Sequence, residues 1–413
     1  MIRRFKKWAS GEKASTSDAT EAAYRAIENR LGELQSRLQV FFDEHGRQYG
    51  EHQHVLASAL LGTGAILTKT NEPQRALNFQ RVGLAISPEI VDGYRHLFQT
   101  CIDLRHADMA LEAFGCALNL PIVETPPRRG GAPVVSLDDL LERRRTPATP
   151  QPLTIYTSLM PRRLDVQKAA IDSWLRAGFV VRSVNIRKEI DELAPSFPNI
   201  DFIEFVSEDG FLVPIAHLCH LMAADENPIV GLVNSDIIFL DPKKLLRTLQ
   251  TEHRHSLVFG HRYDLQSPAD TIGRPYREGF DYFFMEREDW RKLAGTHLLM
   301  GAPWWDYWVP LVARMHGLVL KKPRDAQIVH IMHPFTYDTK ISLHYAHKFW
   351  GDFAVAAREV EPGAHDEFAA LLCRAGRMLT QELSLESPDS FNRLFDFGFM
   401  AKVMIDASTL ELD

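Results

Sequence analysis

Pro228-Ile229-Val230-Gly231-Leu232-Val233-Asn234-Ser235-Asp236-Ile237-Ile238-Phe239-Leu240-Asp241-Pro242 decides how the rest of this chain is read. The first half is largely aliphatic, the second is apolar again, and Asn234-Ser235-Asp236 breaks the run. A continuous apolar run is the mark of a buried parallel strand. A carboxylate that interrupts such a run near its carboxyl end is costly to bury unless it meets a cation or hydrogen-bond donors. Open α/β sheets place their ligands at that end of the strands. Asp236 is therefore a candidate ligand for a divalent metal, and a metal at an acidic strand end usually serves a phosphate.

The flanking sequence alternates in the same texture. Leu153–Leu159 reads as a strand, and Arg163–Ala177 as a helix with Val166, Ala169, Ala170 and Trp174 on one face. Gly178 stands where a left-handed helix cap is expected. Phe179–Val184 and Ile200–Val206 read as further strands, and Val213–Ala224 as the helix leading into the central run. Strand and helix alternating at this spacing predict an α/β fold with a mostly parallel sheet and flanking helices.

This order resembles the GT-A glycosyltransferase domain, a Rossmann-like nucleotide-sugar fold, over roughly residues 150 to 350. The segment Glu208-Asp209-Gly210, a helix, and then Asn234-Ser235-Asp236 is similar to that family's approach to its Asp-x-Asp motif. The family's first aspartate is here Asn234, which offers a carbonyl oxygen without charge. The resemblance implies a Mn2+ or Mg2+ cofactor on Asp236, with a late histidine as a further ligand. His330 ends the mostly apolar run from Ala326 and is the better match; His333 is the runner-up. On a regular strand the two would point to opposite faces and would not ligate together.

Other site residues follow from the same resemblance. Thr157 and Ser158 end the first strand, where such enzymes begin to hold the nucleotide, and Asn234 stands ready to meet donor or metal. Arg262, in His261-Arg262-Tyr263-Asp264, suits a phosphate or an acceptor carboxylate. Asp281 enters the strand that frames the acceptor. In Gly301-Ala302-Pro303-Trp304-Trp305-Asp306-Tyr307-Trp308, Trp304 and Trp305 offer aromatic faces that suit a sugar ring or a domain interface. Asp306 heads a helix expected over 307–316, and the resemblance implies a base that takes the acceptor's proton. An N-cap aspartate would explain the same position without catalysis.

The first third of the chain is different. Residues 18–45 carry Tyr24, Ile27, Leu31, Leu34, Leu38 and Phe41 on one helical seam. Ala76 and Ala110 are 34 apart, as are Leu60 and Tyr94, Gly64 and Phe98, and Gly83 and Ala117. Small residues in that register resemble tetratricopeptide repeats, across roughly 57–122. They imply either a surface for a protein partner or a stabiliser of the neighbouring domain. Pro126, Pro127, Pro133, Pro147 and Pro150, with Gly130-Gly131, mark a linker. The expected division is a helical region over 1–121, a linker over 122–152, a GT-A-like domain over 153–350 and a helical extension over 351–413.

Composition narrows the function classes. Hydrophobic residues make up 45% and charged residues 24%, as in ordinary globular proteins. A net charge of −7 argues against a general nucleic-acid binder. The four cysteines are scattered without a CxxC pair, which suits a reducing cytoplasm and suggests neither a structural zinc nor a disulfide framework. No apolar run approaches membrane-span length. The basic start, Met1 to Trp8, lacks a signal-peptide core and suits either a solvated end or peripheral contact with an anionic membrane.

The expected function is therefore transfer of a sugar from a nucleotide donor to a glycan, lipid-linked or protein acceptor, as in polysaccharide biosynthesis. The alternative is a degenerate domain serving as a non-catalytic binding or scaffold protein, which the Asn234 replacement favours. A nucleotidyltransferase would carry a glycine-rich loop where Leu159-Met160-Pro161-Arg162-Arg163 stands. A dinucleotide-dependent dehydrogenase would carry GxGxxG after its first strand, and none follows here.

Overall fold

The computed structural model describes residues 53–120, 152–206, 210, 212–267, 270, 273–324, 327–333, 339–360, 366–379 and 388–412. The basic start, the seam over 18–45, nearly all of the Pro-rich linker and Glu208-Asp209 lie outside them. The chain divides into two compact units, Met1–His106 and Ala107–Asp413.

The first unit carries helices α1 (53–69), α2 (Pro73–Ile86) and α3 (Val91–Leu104). Small residues set the spacing of α1 and α2. A Cβ added at Gly64 would lie 2.6 Å from the Gln80 side chain, and one at Gly83 would lie 2.8 Å from Leu61. Those crossed contacts make the two helices antiparallel. A hydroxyl pair, Thr68 with Thr100 at 2.8 Å, ties α1 to α3. Pro73 in the first turn of α2 fits a position whose N–H needs no partner.

The second unit begins with α4 (Ala107–Leu118). Then come β1 (Leu153–Thr157), α5 (Leu164–Ala177), β2 (Val180–Asn185), α6 (Arg187–Leu193), β3 (Asp201–Glu204), α7 (Ile215–Ala223) and β4 (Ile229–Val233). After β5 (Ile237–Phe239) and α8 (Pro242–Glu252) the chain forms β6 (Ser256–Phe259), β7 (Arg262–Leu265), β8 (Arg274–Tyr276), β9 (Tyr282–Glu286) and α9 (Arg287–Trp290). The remainder is α10 (Trp305–Met315), β10 (Val319–Pro323), β11 (Ile328–Ile331), α11 (Thr339–Glu359), α12 (Glu367–Met378), α13 (Pro388–Ala407) and β12 (Thr409–Leu412).

Eight strands form the main sheet, in the order β12-β10-β6-β9-β4-β1-β2-β3. Every pairing is parallel except those of β9, which runs antiparallel to β4 and β6. The mostly parallel α/β sheet is as expected. Residues 351–413 do more than extend the fold with helices: β12 pairs with β10, Leu320 opposite Thr409. Helix α11 runs through the boundary expected at 350.

The central run is two strands in two sheets, not one interrupted strand. β4 belongs to the main sheet, whereas β5 joins a second sheet ordered β5-β11-β7-β8. Asn234-Ser235-Asp236 makes the crossing, closed by a turn in which the Ile237 amide donates to the Asn234 carbonyl at 3.2 Å. Periodicity cannot reveal this, because both strands are apolar and each is short.

Helix α5 fixes the crossing from below. The Trp174 indole donates to the Ile237 carbonyl at 2.9 Å, and the Phe239 amide donates to the Ser173 hydroxyl at 3.0 Å. Trp174, Phe179, Phe239 and Phe284 share one buried core cluster. Gly231 is required where it stands, since a Cβ there would lie 2.2 Å from the Phe284 ring on β9. Asp241 then caps α8 by accepting from the Lys244 amide at 2.9 Å, with Pro242 in the first turn.

Candidate functional site

The polar break projects Asp236 toward the end of β11. Its Oδ2 lies 3.3 Å from His330 Nε2, 3.5 Å from His333 Nε2 and 3.7 Å from Arg163 Nη1. The two histidines converge, contrary to the expectation that they face apart. β11 ends at Ile331, so strand alternation no longer governs His333. The rings meet edge to face with centroids 5.2 Å apart. The ligand atoms of Asp236, His330 and His333 all lie within 4.8 Å of one another.

This set fits a divalent ion. Two imidazole nitrogens and one carboxylate suit a borderline metal such as Mn2+ or Zn2+ better than Mg2+, which prefers oxygen ligands. On its far side His330 has a carboxylate, Asp264 Oδ1, 3.0 Å from Nδ1. A carboxylate on one ring nitrogen fixes the proton there and turns the other nitrogen's lone pair to the metal. Burial works against a charged Asp236, but the neighbouring His330 and His333 outweigh it and hold the carboxyl well below the ordinary range.

Arg163 was not singled out by the sequence beyond its place at a helix start. It caps α5 in a left-handed conformation, φ 54°. One guanidinium nitrogen donates to the Ile331 carbonyl at 3.0 Å, which stations the charge beside Asp236. A fork of donors next to a metal position is a ready partner for phosphate oxygens.

The second half of the site centres on Asp281. Arg262 Nη1 lies 2.7 Å from both Asp281 oxygens, and its Nε donates to Asp264 at 2.8 Å. The guanidinium lies over the Tyr276 ring, 4.1 Å from its centroid. Asn234 donates through its side chain to Asp281 at 2.9 Å and through its amide to the Asp281 carbonyl at 3.0 Å. Asn234, Arg262 and Asp281, each read as a substrate contact, are thus engaged with one another.

Asp306 stands next in the chain of contacts. It is not the N-cap: Trp304, with φ 81°, holds that place without a side-chain cap bond, and α10 begins two residues earlier than expected. Asp306 lies in the first turn and accepts from the Phe280 amide at 3.3 Å. Burial, with the nearby Asp281 charge, pushes its carboxyl up to about 7, although Phe280 and Arg262 oppose the shift. A carboxyl at that level can take a proton near neutral pH.

The remaining expected residues are placed as follows. Thr157 is fully buried, and its hydroxyl has no hydrogen-bond partner among the described residues. Ser158 beside it is half-buried. Trp305 is buried against the Phe283 ring at 5.4 Å, so it presents almost no face to a sugar. Trp304 donates its indole N–H to the Ser342 carbonyl at 2.9 Å and stacks on Phe349 at 5.8 Å. Trp304 ties the start of α10 to α11, and Trp305 packs α10 on β9. A second set of ligand-type residues, His255, Glu286 and Asp289, lies elsewhere, and Lys292 already pairs with Asp289 at 2.5 Å.

No protein-family model matches the sequence, and no curated protein matches it. Solved structures similar in shape include the mannosyltransferase PcManGT from Pyrobaculum calidifontis, in complex with GDP-Man and Mn2+. The match has 11% identity and a TM-score of 0.38, over 74% of this chain and 85% of that one. Another is TarS 1-349 from S. aureus in complex with UDP-GlcNAc, at 10% identity and a TM-score of 0.34, over 50% of this chain and 66% of that one. Among the described residues no helix is long and apolar enough to cross a membrane.

Proposed function

We propose that this chain is a metal-dependent glycosyltransferase that moves a sugar from a nucleoside-diphosphate donor to a hydroxyl of a glycan, lipid-linked or protein acceptor. The observation that carries this reading is the convergence of Asp236, His330 and His333 just beyond the carboxyl end of β4, with the Arg163 guanidinium beside them. In sugar transfer the leaving group is a nucleoside diphosphate, which departs with growing negative charge. A divalent ion held by Asp236, His330 and His333 would supply Lewis-acid stabilisation of that charge.

The chain's own groups divide the remaining work. Arg163 meets a phosphate oxygen with a fixed donor. Thr157 and Ser158 stand at the carboxyl end of β1, where the half-buried Ser158 meets the nucleotide and the buried Thr157 supports it. Asp306 takes the acceptor's hydroxyl proton as the new glycosidic bond forms. Its elevated carboxyl suits that role, since a base works best with a pKa near the working pH. The helices before residue 122 serve a protein partner or support the catalytic unit.

The test is release of nucleoside diphosphate from a panel of nucleotide sugars, with Mn2+ and with EDTA. Metal-dependent release from at least one donor is expected. Binding of nucleotides with no turnover of any donor, with or without acceptors, would favour the non-catalytic reading instead.

A further inference from the structure

We propose that Arg262 is the positioning residue that joins the two halves of the site, aiming His330 through Asp264 and holding Asp281 beside Asp306. The inference rests on the reading of the site given above. It begins with register. In the second sheet His330 on β11 stands opposite Asp264 on β7, and Arg262 on β7 stands opposite Tyr276 on β8. Asp281 directly precedes β9 of the other sheet. Arg262 therefore clips a carboxylate of the second sheet to one at the entry to the main sheet with one guanidinium.

The contacts run without a break: His330 Nδ1 to Asp264 at 3.0 Å, Asp264 to Arg262 Nε at 2.8 Å, Arg262 Nη1 to Asp281 at 2.7 Å, and Asp281 to the Asn234 side chain at 2.9 Å. Arg262 is only 13% exposed, so its charge is little screened. Its planar fork addresses two carboxylates in different directions from separate nitrogens, while Tyr276 supports its face. A lysine brings the charge without that fork. The charged and titratable groups facing Asp306 are Asp281, Arg262, Tyr276 and Tyr307. Removing Arg262 leaves Asp281 uncompensated there, and the Asp306 carboxyl rises further.

The test uses the full chain and two readouts, Mn2+ affinity by calorimetry and the pH profile of transfer. Arg262→Gln is expected to weaken Mn2+ binding about ten- to a hundredfold, as expected for an outer-shell partner. It should also shift the acid limb of kcat/KM to higher pH. Arg262→Lys keeps the charge and loses the fork, so metal affinity falls while the limb stays. Asp264→Asn should match that metal loss without moving the limb. Combined with Arg262→Gln it should add little, because both act through His330. Should Arg262→Gln fail to fold, Arg262→Lys and Asp264→Asn still decide. Mn2+ affinity within threefold of wild type in those two variants would overturn the proposal while leaving the metal reading intact. A wild-type chain that binds no Mn2+ would overturn both.

Discussion

Asp264 Oδ1 lies 3.0 Å from His330 Nδ1, on the side of the ring away from Asp236. That one hydrogen bond determines which histidine nitrogen is free. With one proton held toward Asp264, Nε2, 3.3 Å from Asp236, is the nitrogen that would turn to an ion once its own proton is lost. The polar break in the central run acquires a structural meaning from this contact, because it brings a carboxylate within 3.3 Å of that imidazole.

Metal choice follows from the ligands. Two nitrogens and one carboxylate should bind Mn2+ and Zn2+ well ahead of Mg2+. Competition calorimetry checks the order, and a preference for Mg2+ would point to oxygen ligands other than this set.

Metal affinity should fall as the medium is acidified, because protons compete with the metal for an imidazole that must be neutral to ligate. Proton release on Mn2+ binding, measured by calorimetry in buffers of different ionisation enthalpy, checks this. Binding that is unchanged at pH 5 would remove His330 and His333 from the metal.

Asp306→Asn should lower kcat on the order of a hundredfold or more while donor affinity stays close to wild type. The limb of the wild-type profile near the raised carboxyl, about 7, should vanish. Stability has the opposite sign. A carboxyl whose folded pKa lies above its unfolded value loses its contribution as pH rises from the unfolded value to the folded one. Melting at pH 8 should therefore be higher for Asp306→Asn than for wild type, with the difference disappearing near pH 4.

Trp304→Phe should cost stability of about 1 kcal/mol through the lost hydrogen bond to Ser342 and leave sugar transfer near wild type. Thermal melting and turnover measured together check this. A large rise in acceptor KM with unchanged melting would return the ring to the role of a sugar platform.

The alternating half of the chain was legible because its periods are clear: Trp174 and its neighbours mark α5, and Gly178 ends it at φ 91°. Asp236 and His330 were legible because a charged or polar group in an apolar run must have a reason to be there. The second sheet was not, since nothing in Ile237-Ile238-Phe239 tells a short strand in a new sheet from the continuation of an old one. Strand alternation sets His333 apart from His330 until the end of β11 is known, and the meeting of Asp264 with His330 depends on the pairing of β7 with β11. Arg262 and Asp281 looked like ligand contacts because isolated charges do; their mutual pairing is a tertiary fact. Trp304 and Trp305 show the converse, a cluster conspicuous in sequence that is used for packing.

The most direct test of the central claim is calorimetric titration of nucleoside diphosphates into the full chain, with Mn2+ and with EDTA, for wild type and Asp236→Ala. Metal-dependent binding of at least one nucleotide to wild type, weakened on the order of a hundredfold or more in a folded Asp236→Ala chain, is the predicted result. Equal affinity in the two chains, or equal affinity with Mn2+ and with EDTA, would contradict it.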